Sequence, residues 1–175
     1  ITDCNLKYVL QKVSEFIEMP SLFNQELRYA LYSGYINYLI RAYMNESEEQ
    51  NKTAYKIFNM AYKEEVLFLT PADSLSYLLV YNGIELILGS PINAKEILNK
   101  SIKYIAPHHK EACERLCLAR IEIKEGNYDR ALEYIDTTPT GSAINFYPLF
   151  KIQLLKILVI QNNELRYATE RENFY

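Results

Sequence analysis

A short pattern, Gly-x4-Ala, recurs along this chain at a fixed interval, and a fixed interval constrains folding more than any single segment does. Gly89-Ser-Pro-Ile-Asn-Ala94 is followed 37 residues on by Gly126-Asn-Tyr-Asp-Arg-Ala131, and the same step again lands on Asn163 and Ala168. Upstream, Ala54-x3-Phe58-x2-Ala61 has the form of Ala94-x3-Leu98-x2-Ser101 at an interval of 40, which leaves room for a longer loop around Glu46-Ser-Glu-Glu49. A repeat of this length is one supersecondary unit that cannot bury its apolar face alone, so successive units stack and each contacts chiefly its neighbours. Ala54, Ala94 and Ala131 let backbones approach, while Phe58, Leu98 and Tyr134 or Ile135 fill the space between.

Inside each unit, long stretches free of Gly and Pro carry apolar residues at spacings of three and four, the period of a helix with one buried face. The class expected is all-α, with helices near 4–18, 23–44, 49–66, 74–88, 92–105, 109–125, 128–136, 143–161 and from 164 onward. Pro20, Pro71 and Pro91 read as stops because proline lacks the donor that a helix interior needs, and Gly89 and Gly126 read as left-handed helix ends. Asp73 and Ser142 are the expected N-caps. Connections this short turn each helix back against the one before it, giving antiparallel pairs.

Composition narrows the function. Hydrophobic residues make up 49% of 175, with 5 Gly and 6 Pro, so the chain has the apolar content to form a core. A net charge of −3 provides no basic excess to neutralise a phosphate backbone, and no direct nucleic-acid contact is expected. Cys113 and Cys117 lie four apart on one expected helix, where disulfide geometry is rare, and with Cys4 they make an odd count; a reducing, cytoplasmic setting follows. The most apolar stretch, 144–160, is interrupted by Pro148, Lys151, Gln153 and Lys156, which argues against a membrane span. The chain starts at Ile1 and ends at Tyr175 inside an expected helix, as a piece of a longer protein would. Residues 1–22 then cap the array or continue a preceding region, and 23–175 form the array.

Leu118-Ala119-x6-Gly126-Asn-Tyr128-Asp-Arg-Ala131-Leu-Glu-Tyr134, with Pro139 beyond it, resembles the tetratricopeptide repeat. The departures are the absence of Trp, Glu122 where the family has Tyr, and an interval of 37 where about 34 is usual. The resemblance implies a right-handed superhelical array of antiparallel helix pairs, whose first helices line a concave face. The style of the repeats is also similar to the ligand-binding regions of peptide-sensing bacterial and phage transcription regulators, the Rgg/PlcR class and the arbitrium receptors. That likeness implies a preceding DNA-binding domain, a homodimer, and a short peptide held in the groove. The alternative is a structural adaptor gripping one permanent protein partner.

On first helices of the pairs, polar residues standing where packing favours apolar ones are the candidates for holding a short peptide or protein segment: Asn37 and Arg41, Tyr77 and Asn82, Arg120 and Lys124, and Gln153. Arg clasps a carboxylate with two parallel bonds, and Asn or Gln pairs with both donor and acceptor of a peptide unit, so an extended peptide with a carboxylate would suit. His109, Cys113 and Cys117 share a helix face, but a structural metal site takes four ligands, usually from more than one segment; no metal or cofactor is expected. No phosphate-binding glycine loop, paired-carboxylate motif or His-Glu-x-x-His helix is present, and the chain is expected not to be an enzyme. Helix 143–161 is apolar nearly all round and needs cover on more than one side, from the chain's own helices, from residues that follow Tyr175, from a bound peptide or from a second copy. Tyr29, Tyr32, Tyr35 and Tyr38 step by three, as core tyrosines with wet hydroxyls would.

Overall fold

The computed structural model describes residues 24–42, 48–136 and 146–172, together with Gln11, Lys12, Glu15, Phe16 and Met19. Among them the chain is all-α: α1 (Gln25–Ala42), α2 (Glu48–Lys63), α3 (Pro71–Leu88), α4 (Pro91–Ser101) with a 3-10 turn at Ile102–Tyr104, α5 (Pro107–Glu125), α6 (Tyr128–Asp136), α7 (Tyr147–Ile160) and α8 (Glu164–Glu172). These follow the expected helices from residue 23 onward. The helix over 4–18, the stop at Pro20, the cap at Ser142 and the family position Pro139 lie outside the described residues or largely so. No helix among the described residues is long and apolar enough to cross a membrane.

The prolines act differently from the expectation. Pro71, Pro91 and Pro107 are each the first residue of a helix, where a missing N–H costs nothing and φ is already set. Asp73 is accordingly not an N-cap; it lies in the first turn of α3, where Thr70 supplies the carbonyl for Ser74 N (3.2 Å). The side-chain caps are Asn24, Ser90 and Asn163, accepting from Leu27 N (2.9 Å), Asn93 N (3.2 Å) and Arg166 N (3.2 Å).

Three helices end in one way. Among the described residues the left-handed ones are Glu65 (φ 57), Gly126 (φ 82) and Asn162 (φ 51). Each donates its N–H to the carbonyl three back (Tyr62, Ile123, Val159), and the next residue donates to the carbonyl five back (Ala61, Glu122, Leu158). This double closure satisfies carbonyls that a helix end otherwise leaves bare. Gly89 is not left-handed; a Cβ there would displace the Glu85 carboxylate and stand 3.0 Å from the Glu85 carbonyl oxygen.

The described closures also correct the repeat frame. Ala94, Ala131 and Tyr167 each donate to the carbonyl four back, from Ser90, Asn127 and Asn163, so they occupy one register position. The step is 37 residues from Ser90 to Asn127 but 36 from there to Asn163. Asn162, not Asn163, therefore matches Gly126, and Tyr167, not Ala168, stands where the earlier pairs have Ala. Ala168 is exposed.

The chain divides into two compact units within α3, between Tyr77 and Leu78. In the first, Tyr32, Ile36, Ala54, Ile57, Phe58, Ala61 and Tyr77 are buried, and the Phe58 and Tyr77 rings meet edge to face at 6.4 Å. Full burial of a large apolar side chain contributes about 1.5–3 kcal/mol. Two tyrosine hydroxyls reach carboxylates: Tyr32 donates to Glu64 Oε1 (2.8 Å) and Tyr29 to Asp73 Oδ2 (2.7 Å). Arg28, buried, donates through Nε to Glu64 Oε2 (2.9 Å) and pairs with the same carboxylate through Nη2.

In the second unit, Ala94, Leu98 and Ser101 of α4 and Ala112, Cys113, Leu116, Cys117 and Ala119 of α5 are buried. Ala131 and Ile135 of α6 are buried with Phe150, Leu154, Ile157 and Leu158 of α7, and Tyr134 is half-buried. α5 and α6 are joined through Gly126 and Asn127 alone, which folds one back on the other.

Candidate functional site

The seven candidate residues separate by burial. Tyr77, Asn82 and Gln153 are buried; Asn37 and Lys124 are exposed; Arg120 is half-buried; the side chain of Arg41, in the last turn of α1, lies outside the described residues. Ser33 and Asn37 stand near the Tyr77 hydroxyl, whose pKa burial raises above the ordinary tyrosine value while these two neighbours oppose the rise. Asn82 donates from Nδ2 to the Ala94 carbonyl at 3.4 Å, holding α3 to α4, and its Oδ1 is buried without a partner among the described residues.

Arg120 donates from Nη1 to the Leu79 carbonyl (3.0 Å), and desolvation lowers its pKa, the thiols of Cys117 and Cys113 acting in the opposite direction. Neither Arg120 nor Lys124 pairs with a carboxylate among the described residues. At i and i+4 they share a face of α5, with Ile123 at the edge of that face.

Ile123 leads to a feature the candidate list missed. α7 packs on α5, α6 and α8 through Phe150, Gln153, Leu154, Ile157 and Leu158. Its opposite face is equally apolar and open: Ile152 is 41% exposed, Val159 58% and Ile160 49%. With Ile123 of α5 and Tyr167 of α8, residues 152, 155, 156, 159 and 160 line a cleft of about 420 Å³ whose surface is almost wholly apolar. The signal was in the sequence, in a helix apolar on every side. Polar candidates drew attention to the buried positions instead.

Two buried carboxylates were also missed. Glu85 (1% exposed) accepts from Ser90 N at 3.2 Å, and Glu122 (4%) accepts from Asn127 Nδ2 at 2.8 Å with Arg130 Nη1 at 3.7 Å. They stand 37 residues apart, one per repeat, each fastening the turn that follows it. Glu122, where the tetratricopeptide pattern has Tyr, is thus a structural residue. The third pair has Leu158 at this place, by the same closure.

Cys113 and Cys117 are free and buried. The Cys113 thiol is pushed far above the ordinary range by its hydrogen bond with Cys117 and by burial, which makes it a poor nucleophile. The His109 ring packs against Phe146 at 5.7 Å and His108 at 4.0 Å, and no three His, Cys, Asp or Glu side chains among the described residues converge as metal ligands would.

Comparisons with protein-family models, curated proteins and solved structures yield no significant match.

Proposed function

We propose that this chain is a polypeptide-binding scaffold built from helix pairs of the tetratricopeptide type, arranged as a right-handed superhelical array, with its binding surface on the outward face of α7. The observation that carries the reading is that face: Ile152, Val159 and Ile160 lie 41–58% exposed on one helix, flanked by Ile123 and Tyr167. Isolated exposed apolar residues are ordinary; it is their contiguity along one helix face that supports the reading. Lys156, exposed within the strip, supplies a charge, as interfaces with an apolar centre and polar rim do.

The test is selection of binders from a displayed random-peptide library on the immobilised protein, repeated on Val159→Glu and Ile160→Glu. Both side chains are about half exposed, so both variants retain the fold, checked by circular dichroism. Peptides enriched on the parent and lost on the variants support the reading. No enrichment, or enrichment indifferent to both changes, refutes it.

A further inference from the structure

Two of the second helices bury the same two positions, one turn apart. In α4 they are Ala94 and Leu98, in α6 Ala131 and Ile135. The hydrogen bonds four back put Tyr167 of α8 at the first of these places, and four residues on the second falls to Arg171. Tyr167 is half-buried, Arg171 is exposed, and Leu165 is 83% exposed. α8 thus has the length of α6, nine residues each, without its anchors. A helix this short is marginal in water and forms where something packs on it.

Much of what holds α8 is polar. Glu170 pairs with Lys151 of α7, their side chains only 21% and 16% exposed, and this hydrogen bond raises the Lys151 pKa. Arg166 Nη2 stands 4.0 Å from Asp136 Oδ1 of α6, both side chains exposed, and such a contact contributes little. The one apolar seat is the Tyr167 ring, beside Ile123 and Ile160. Gln161, left-handed Asn162 and Asn163 join α8 to α7.

We infer that α8 is a strap that leaves and rejoins α7 as one unit while α5, α6 and α7 stay folded, latched by the Lys151–Glu170 pair and seated by the Tyr167 ring. Residues 161–163 are its hinge. Each opening takes Tyr167 out of the cleft wall. This motion belongs to the chain's own helices and stands apart from whatever α7 binds.

Amide hydrogen exchange followed by NMR on the whole 175-residue chain tests the strap. The amides of residues 168–172 should share one protection, above that of an unstructured peptide and about a hundredfold or more below that of α5. Glu170→Gln and Tyr167→Ala should each speed their exchange about threefold or more while α5 and α7 keep theirs. Lys151→Glu/Glu170→Lys should restore the slower exchange, and Arg166→Gln should change it less than Glu170→Gln does. Protection of α8 equal to that of α5, no protection at all, or protection that falls away residue by residue toward Glu172 overturns the inference. So does a Glu170→Gln variant that leaves α8 unchanged or speeds α7 equally.

Discussion

The three left-handed helix ends allow one backbone argument to be tested twice with opposite sign. Glu65 and Gly126 make the same pair of closing hydrogen bonds, but only one of them is the residue that tolerates positive φ without strain. An L-residue held there costs roughly 1–2 kcal/mol, and replacing it with Gly returns that while losing about 0.4–1 kcal/mol to the greater freedom of the unfolded chain. Glu65→Gly should therefore stabilise by about 0.5–1 kcal/mol; Glu65 is exposed and nothing is lost from the core. Gly126→Ala should destabilise by about the same amount, because the added Cβ finds open space and meets only the dihedral cost. Asn162→Gly should gain less, since Asn is the side chain that best accepts this conformation after Gly. Urea unfolding followed by circular dichroism would measure the midpoints, with an unchanged denaturant slope showing that stability alone has moved. A Glu65→Gly variant no more stable than the parent, beside a Gly126→Ala variant no less stable, would refute the reasoning.

Further outcomes follow from the packing. Arg28→Ala leaves the Glu64 carboxylate with Tyr32 alone and should cost about 2 kcal/mol, below the full value for a buried pair because Glu64 is partly exposed; Arg28→Met should cost clearly less, by thermal denaturation. Tyr29, Tyr32, Tyr35 and Tyr77 all have pKa values raised from 10.0, chiefly by burial. The unfolded chain therefore gives up these protons first, and stability should be present below pH 10 and fall as pH rises past it. Tyrosinate absorbance should show this group appearing only with unfolding. Ala131→Leu should cost about 1–3 kcal/mol by overpacking, whereas Tyr167→Ala, at the equivalent place in the last pair, should cost under about 1 kcal/mol; paired chemical denaturation curves would compare them.

The helices were legible because period and punctuation agreed, and Gly126 could be placed from residue type alone. Proline was legible as punctuation but not as to which side of the boundary it falls, since the same fixed φ ends one helix and opens another. The one-residue slip at the third pair was not readable: Asn162 and Asn163 both accept the left-handed conformation, and only the hydrogen bonds to Leu158 and Val159 choose between them. The candidate site suffered from a related ambiguity. A polar residue on a helix face reads the same whether it faces a ligand or satisfies a neighbour, as Asn82 does with the Ala94 carbonyl. The apolar excess of 144–160 was visible, yet which half of it stayed open depended on what packed against α7.

A repeat in sequence is a one-dimensional lattice, and the missing residue before Asn163 is its dislocation. At two lattice points the close-approach position holds Ala; at the third, the shift brings up a Tyr, while the buried Glu that fastens the earlier turns has become Leu158. No residue of α8 is buried. Tyr167, brought to that position, stands in the wall of the cleft on α7. Restoring the register, by one inserted residue after Gln161 with Ala at the close-approach point, would heal the lattice and take the Tyr167 ring out of that wall.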